Sequence, residues 1–320
     1  MNYIVFDLEW NQSPNGKEFE EKGLPFEIFE IGAVKLNEKR EYVDKFSCLI
    51  KPQVYKELHY VAKELTHISM ERLETGKLFD EAVMDFIRWC EIDGDFIFCT
   101  WGSMDILELQ RNMRYFNVKA DFGYPLLFYD VQKLFSIDRE EGELRRSLEN
   151  AVDMLEVDKM IDFHSALNDA IYTAQVFEKL DFNKVCRYTS IDTYYIPKTN
   201  KQEIVVDYGT YEKYITKGYK TKEEVLASRK LLTTKCYICQ NAARKKIKWF
   251  TVNSKMHYCL AVCKEHGFIK GKFRVKEDEF GNYYAIRILK RTDNEGAALI
   301  KERQLEMRRK RQEKRKKMKA

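Results

Sequence analysis

Residues 1–10 read MNYIVFDLEW, and the stretch 4–10 decides the fold. Ile4, Phe6, Leu8 and Trp10 alternate with Val5, Asp7 and Glu9, the period-two pattern of a β-strand. Alternate residues of a strand project side by side from one face. Asp7 and Glu9 therefore hold like charges together on an element otherwise suited to burial. Burying an uncompensated carboxylate is costly, so a pair of them on a core strand asks for a cation.

Outward from this strand, FEIFEIGAVKL (26–36) and YVDKFSCLI (42–50) read as two more strands, separated by polar loops, one of them (11–25) with Gly and Pro. LFDEAVMDFIRWCE (78–91) places Phe79, Val83, Phe86, Ile87 and Cys90 on one helical face. DFIFCTW (95–101) is a short apolar strand, and Ser103 can cap the helix that follows it. YPLLFYDV (124–131) is a further strand candidate, and LRRSLENAVDMLEV (144–157) and SALNDAIYTAQVFEKL (165–180) read as helices. Three meandering strands followed by strands alternating with helices predict an α/β domain over 1–182, with a mixed sheet covered on both faces. Residues 183–232 read as a connector, 233–292 as a small β-rich module, and 293–320 as a helical basic tail.

At 320 residues, 44% hydrophobic and 13% aromatic, the chain can bury a sizeable core, and it shows no apolar run of membrane-spanning length. The N-terminal apolar stretch is interrupted by Asp7 and Glu9, unlike a signal peptide. With eight cysteines and no sign of an export signal, the expected compartment is a reducing cytoplasm. The net charge of +5 conceals an asymmetry, because residues 301–320 carry eleven Lys and Arg against three Glu. A basic run of this kind suits a polyanionic partner.

Two more acids fall where strands give way to helices. Asp105 lies in WGSMD (101–105) and Asp169 in HSALNDA (164–170), five residues after His164. Ligands of open α/β sheets gather at such ends. Four carboxylates in one pocket need countercharge, and hard divalent cations with oxygen ligands, Mg²⁺ or Mn²⁺, supply it. Two such ions can clamp the attacking and leaving oxygens of a phosphoryl displacement. An imidazole, with an ordinary pKa of about 6.5, can take the proton of the attacking water. That chemistry hydrolyses a phosphodiester.

FDLEW, WGSMD and HSALNDA, in that order, resemble the three motifs of the DEDDh exonucleases, and CTWGSMD is most similar to the histone-mRNA 3′-exonuclease branch. The resemblance covers about residues 1–182 and fills all five defining positions. It implies an RNase H-like fold and 3′→5′ removal of nucleotides with two divalent metals. Carried across, it makes Asp7, Glu9 and Asp169 ligands of the metal that activates water. Asp7 would bridge to a second metal, Asp105 would assist, and His164 would be the general base. The chain departs from the pattern at His67 in LTHIS, where the family often has Gly. The histone-mRNA likeness tilts the expected substrate from DNA toward RNA, as single-stranded 3′ ends. Phe6, Leu8 and Trp10 face away from the acids on a regular strand, and Leu8 and Trp10 are the candidates for substrate contact, Trp10 by stacking on a terminal base.

The remaining chemistry lies in the cysteine cluster. CYIC gives Cys236 and Cys239, and CKEH gives Cys263 and His266, the spacing of a closed four-ligand Zn²⁺ site. His257 and Cys259 are spare candidates. RKKIKWF, KGKFRVK and IRILKR around them mix cations with rings, as nucleic-acid surfaces do. The competing expectation is an adaptor, a nucleic-acid- or ribosome-binding protein that keeps an exonuclease fold. A pure binder has no physical reason to keep four crowded acids.

Overall fold

The computed structural model describes residues 1–317 apart from 141, 143, 160 and 254; the end of the basic tail, 318–320, lies outside the described residues. The chain divides into two compact units, Met1–Asp192 and Thr193–Ala320.

The first unit is built on a six-stranded sheet of β1 (Asn2–Gln12), β2 (Phe26–Leu36), β3 (Tyr42–Leu49), β4 (Phe96–Thr100), β5 (Leu127–Asp130) and β6 (Ser190–Ile191), in the order β3-β2-β1-β4-β5-β6. β1 runs antiparallel to β2 and parallel to β4, so the sheet is mixed about this central strand. Ile4, Phe6 and Leu8 enter one face, where they meet Val83 and Phe86 of the helix Phe79–Glu91 and Ile106 and Leu109 of the helix Met104–Tyr115. That apolar burial, roughly 25 cal/mol per Å², holds β1 in the sheet's centre.

The helix Ala166–Glu178 covers the opposite face, across β1 and β2. Its approach depends on Gly32, where an added Cβ would sit 2.0 Å from the backbone nitrogen of Leu167. Only a residue without a side chain lets the helix start this close to the strand. Gly32 pairs with Asp7 across the ladder, so the same contact that seats the helix brings its first turn beside the opening acids.

The second unit carries an all-antiparallel sheet of β7 (Ile204–Asp207), β8 (Tyr211–Ile215), β9 (Arg244–Thr251), β10 (Met256–Cys263), β11 (Gly267–Glu277) and β12 (Tyr283–Arg291), in the order β7-β8-β12-β11-β10-β9. Part of the stretch expected to be a connector thus supplies β7 and β8. It also supplies the short helices Lys222–Ala227 and Arg229–Leu232, whose Val225 and Leu231 pack with Tyr214, Phe273 and Ala285. Beneath them Arg287 is buried. It donates to Glu212 at 2.9 Å and to the carbonyls of Lys230, Leu231 and Thr233. The basic tail is the helix Asn294–Lys317, and its first half is packed. Ala297 and Ile300 sit against Ile247, Phe250 and Leu260, and the Arg303 guanidinium lies 4.9 Å from the centre of the Tyr258 ring.

Candidate active site

The predicted acids come from one strand and the first turns of two helices, and the fold brings them together. Asp7 and Glu9 project from the second half of β1, opposite Gly32 and Glu30 respectively. Asp105 stands in the first turn of the helix after β4, and Asp169 in the first turn of the helix Ala166–Glu178. Ligand oxygens of Asp7, Glu9 and Asp169 lie within 4.8 Å of one another. Asp105 is 5% exposed and accepts the backbone N–H of Leu8, which ties it to the strand that carries the other two.

The electrostatics register the crowding. Burial, reinforced by Asp105, Glu9 and Asp169, pushes the Asp7 carboxyl well above the usual range. Burial and then Asp169 push Glu9 to about 8. Asp105 rises to about 7, chiefly through burial, against the pull of its backbone hydrogen bonds. Asp169 rises to about 6, with His164 pulling the other way. One oxygen of Asp169 is buried without a hydrogen-bond partner. Such an acceptor-only, orphaned oxygen set is what a hard divalent cation completes.

His164 is exposed on the loop that enters the helix, in a left-handed conformation at φ 66°. Non-glycine residues seldom sit there, and when they do the site is often functional. Leu8 is 3% exposed and its side chain belongs to the core. Trp10 is half-buried against Phe26, with ring centres 5.8 Å apart.

Sequence reasoning missed Glu30. It is 9% exposed and faces Glu9 directly across the ladder, a like-charge pair beside a bulge in the strand pairing. Its carboxylate accepts Ser165 Oγ at 3.2 Å and the N–H of Ala166. Ser165 makes no cap bond of its own, so Glu30 caps this helix from the neighbouring strand and fixes the His164 loop. The signal was present: FEIFEIGAVKL carries two glutamates in an otherwise apolar strand. The other, Glu27, is 2% exposed and anchors the backbone N–H groups of Gln53, Val54 and Tyr55.

In the second unit Cys236, Cys239, Cys263 and His266 form one cluster. Cys239 and Cys263 sulfurs are 3.6 Å apart, and His266 Nδ1 lies 3.5 Å from Cys236 and 3.7 Å from Cys263. A tetrahedral ion with bonds of about 2.3 Å to sulfur and about 2.0 Å to nitrogen needs edges of about 3.8 Å and about 3.5 Å. The separations match that and exceed a disulfide bond of about 2.05 Å. N–H groups of His266 and Glu265 draw the Cys263 thiol down to about 6. The spare candidates lie elsewhere: His257 stacks on Phe273 at 4.3 Å, and Cys259 is buried against Gly271.

Among solved structures, the nuclease domain of 3'hExo, a DEDDh family member bound to rAMP, matches with TM-score 0.50 at 17% identity, over 60% of this chain and 96% of that one. Cell-death related nuclease 4 (CRN-4) matches with TM-score 0.48 at 14% identity, over 59% of this chain and 65% of that one. The zinc-bound E. coli ExoI–ssDNA complex matches with TM-score 0.46 at 15% identity, over 58% of this chain and 41% of that one. No curated protein matches by sequence. A model of the exonuclease family, RNase_T, matches residues 4–177, more than half of the chain, and the chain belongs to that family.

Proposed function

We propose that the protein trims single-stranded nucleic acid from the 3′ end, RNA in preference to DNA, with two Mg²⁺ or Mn²⁺ ions held by Asp7, Glu9, Asp105 and Asp169. The observation that carries this reading is the meeting of three carboxylates within 4.8 Å, with Asp105 buried and His164 on the adjoining loop. When bound, the ions supply positive charge for the attacking and leaving oxygens of the displacement. The His164 imidazole accepts a proton from the attacking water. The bond from phosphorus to the 3′-oxygen breaks, which releases a nucleoside 5′-monophosphate and a strand with a new 3′-hydroxyl. Glu30 keeps the His164 loop in register, and Leu8 holds Asp105 through its N–H. Trp10, two residues before the end of the strand, is the ring we assign to the terminal base.

We assign Cys236, Cys239, Cys263 and His266 to a structural Zn²⁺, because four protein ligands leave no open position for chemistry. Among the described residues every cysteine is free, which supports a reducing cytoplasmic compartment. Among the same residues no helix is long and apolar enough to cross a membrane.

The test is degradation of end-labelled RNA and DNA strands in Mg²⁺, in Mn²⁺ and in EDTA, beside Asp7→Ala and His164→Ala. Metal-dependent laddering from the 3′ end, faster on RNA and abolished in both variants, is the expected result. Intact binding with no degradation by the unaltered protein would leave the adaptor reading standing instead.

A further inference from the structure

The basic character of the chain is not confined to its tail. Residues 193–320 hold 33 Lys and Arg against 14 Asp and Glu, a formal charge of +19, whereas residues 1–192 hold 23 against 37, or −14. A unit this basic attached to a unit this acidic is suited to holding a polyanion that the acidic unit would otherwise repel.

The cations of the second unit are ordered by its sheet. Along β11, Lys270, Lys272, Arg274 and Lys276 alternate with the buried Ile269, Gly271, Phe273 and Val275. The four therefore share one face, successive members about 6.8 Å apart at a rise of roughly 3.4 Å per residue. Directly opposite residues of an antiparallel pair share a face. The row is accordingly flanked by Met256, Tyr258 and Leu260 on β10 and by Ile286, Ile288 and Lys290 on β12, with no acid among them. The helix Asn294–Lys317 packs on this same face through Ala297 and Ile300. Beyond that packing the helix carries exposed cations all round, Arg308 to Arg311 and 314–317, with Arg311 at the end of β9.

The rings on this face are occupied. Tyr258 lies under Arg303, and Tyr284 is 2% exposed. Single-strand binders combine a basic groove with open aromatic platforms for unstacked bases; this face offers a row of cations and a basic helix without them. It is built to meet phosphates and leave bases alone, as a double helix presents itself from outside.

We propose that the β11 row and the C-terminal helix together bind the sugar–phosphate backbone of a double-helical segment, a stem of the same nucleic acid whose single-stranded 3′ end the first unit trims. The inference rests on the exonuclease reading for its substrate but not for its geometry. The test uses the full chain carrying Lys270→Ala, Lys272→Ala and Arg274→Ala together, and separately the helix variant with Ala at 314–317, whose exposed positions leave the packed half of the helix untouched. Probes are a hairpin stem with a 3′ overhang, a single strand of equal length, and thymidine 5′-monophosphate p-nitrophenyl ester. Binding of the first two is measured in an Asp105→Ala background, so that nothing is consumed.

Stem binding should weaken about tenfold or more in each variant, and the slope of log K against log salt should fall by about 3 for the strand variant. Single-strand binding should change far less, and the small ester should be cleaved at the unaltered rate. An unchanged stem affinity and slope would overturn the proposal, and so would an equal loss on stem and strand. If the unaltered protein cannot cleave the ester or any strand, the exonuclease reading fails, while the binding data still decide the fate of this face.

Discussion

Neutralising Glu9 should make the metal-free protein more stable at pH 8, not less. In the unfolded chain Glu9 loses its proton near its ordinary 4.5, whereas in the fold burial and Asp169 hold the proton until about 8. Between those values the folded state binds more protons than the unfolded one, so stability falls as pH rises. At 1.36 kcal/mol per pH unit, Glu9 alone would cost about 4 kcal/mol at pH 8. Asp7 and Asp169 share that repulsion and relax when a neighbour is neutral, so Glu9→Gln should recover about half, ~2 kcal/mol. For a unit of this size that is a rise of about 4–8 °C in Tm. The assay is thermal unfolding followed by circular dichroism, in buffer freed of divalent cations, at pH 5 and pH 8. The two proteins should melt together at pH 5, with the variant higher at pH 8. Addition of Mn²⁺ should then reverse the order at pH 8, because a ligand that binds only the folded state stabilises the protein able to hold it. A metal-free variant that melts at or below the unaltered protein at pH 8 would refute the reasoning, since the acids would then not be a strained cluster.

Gly32→Ala should destabilise the first unit by about 3 kcal/mol or more, because its Cβ would meet helix backbone, which cannot swing aside; denaturant titration measures it. Glu30→Ala should cost about 1–2 kcal/mol through the lost cap and lower kcat, while Glu30→Gln, still an acceptor for Ser165 and Ala166, should restore most of both. Equal activity in all three proteins would remove Glu30 from the positioning of His164. Stripping zinc with a strong chelator at neutral pH should melt the second unit, detected as loss of its near-ultraviolet signal, and Cys239→Ser should do so without chelator. A second unit that keeps its signal in both would leave the cysteine cluster without a structural ion.

The acids of the candidate site were legible in the sequence because strand and helix periodicity are local, and each motif lies within a few residues of an element end. FDLEW reveals its own contradiction, two charges on a core strand. Glu30 makes the same contradiction in FEIFEIGAVKL, but its partners, Ser165 and Ala166, lie more than 130 residues away and become visible only when β2 and the helix are in contact. The Cys236, Cys239, Cys263 and His266 cluster was legible from spacing, and the fold sets the spare candidate Cys259 apart from it: Cys259 lies four residues earlier on β10, packed against Gly271. The reach of the second unit was not legible. β7 is only four residues long, Ile-Val-Val-Asp, and β8 five, charged and tyrosine-rich; both read as strand-like or irregular, and runs this short do not show which sheet they join.

The same blindness to tertiary context misplaced the basic charge. Counted along the chain, positive charge concentrates in residues 301–320, and the bland reading of such a run is a solvated extension. In three dimensions the helix is held by Ala297, Ile300 and Met307, and Arg311 donates to the carbonyl of Thr251 at 3.0 Å. Holding a line of cations rigidly against its own repulsion costs stability, and an extension with no binding role would be expected to detach and dissipate that charge into solvent. Truncation therefore has to respect the packing. Removal of everything after Met307 deletes nine Lys and Arg and one Glu without uncovering the apolar contacts of Ala297 and Ile300, whereas removal from Lys301 strips Met307 from the cluster and takes Arg303 off Tyr258. The shorter truncation, which gives up only the exposed Arg311 bond, should change the melting temperature little and lower affinity for nucleic acid; the longer one should lower both. If the shorter truncation binds as tightly as the full chain over a range of salt, the helix is a structural strut and its charge has no ligand.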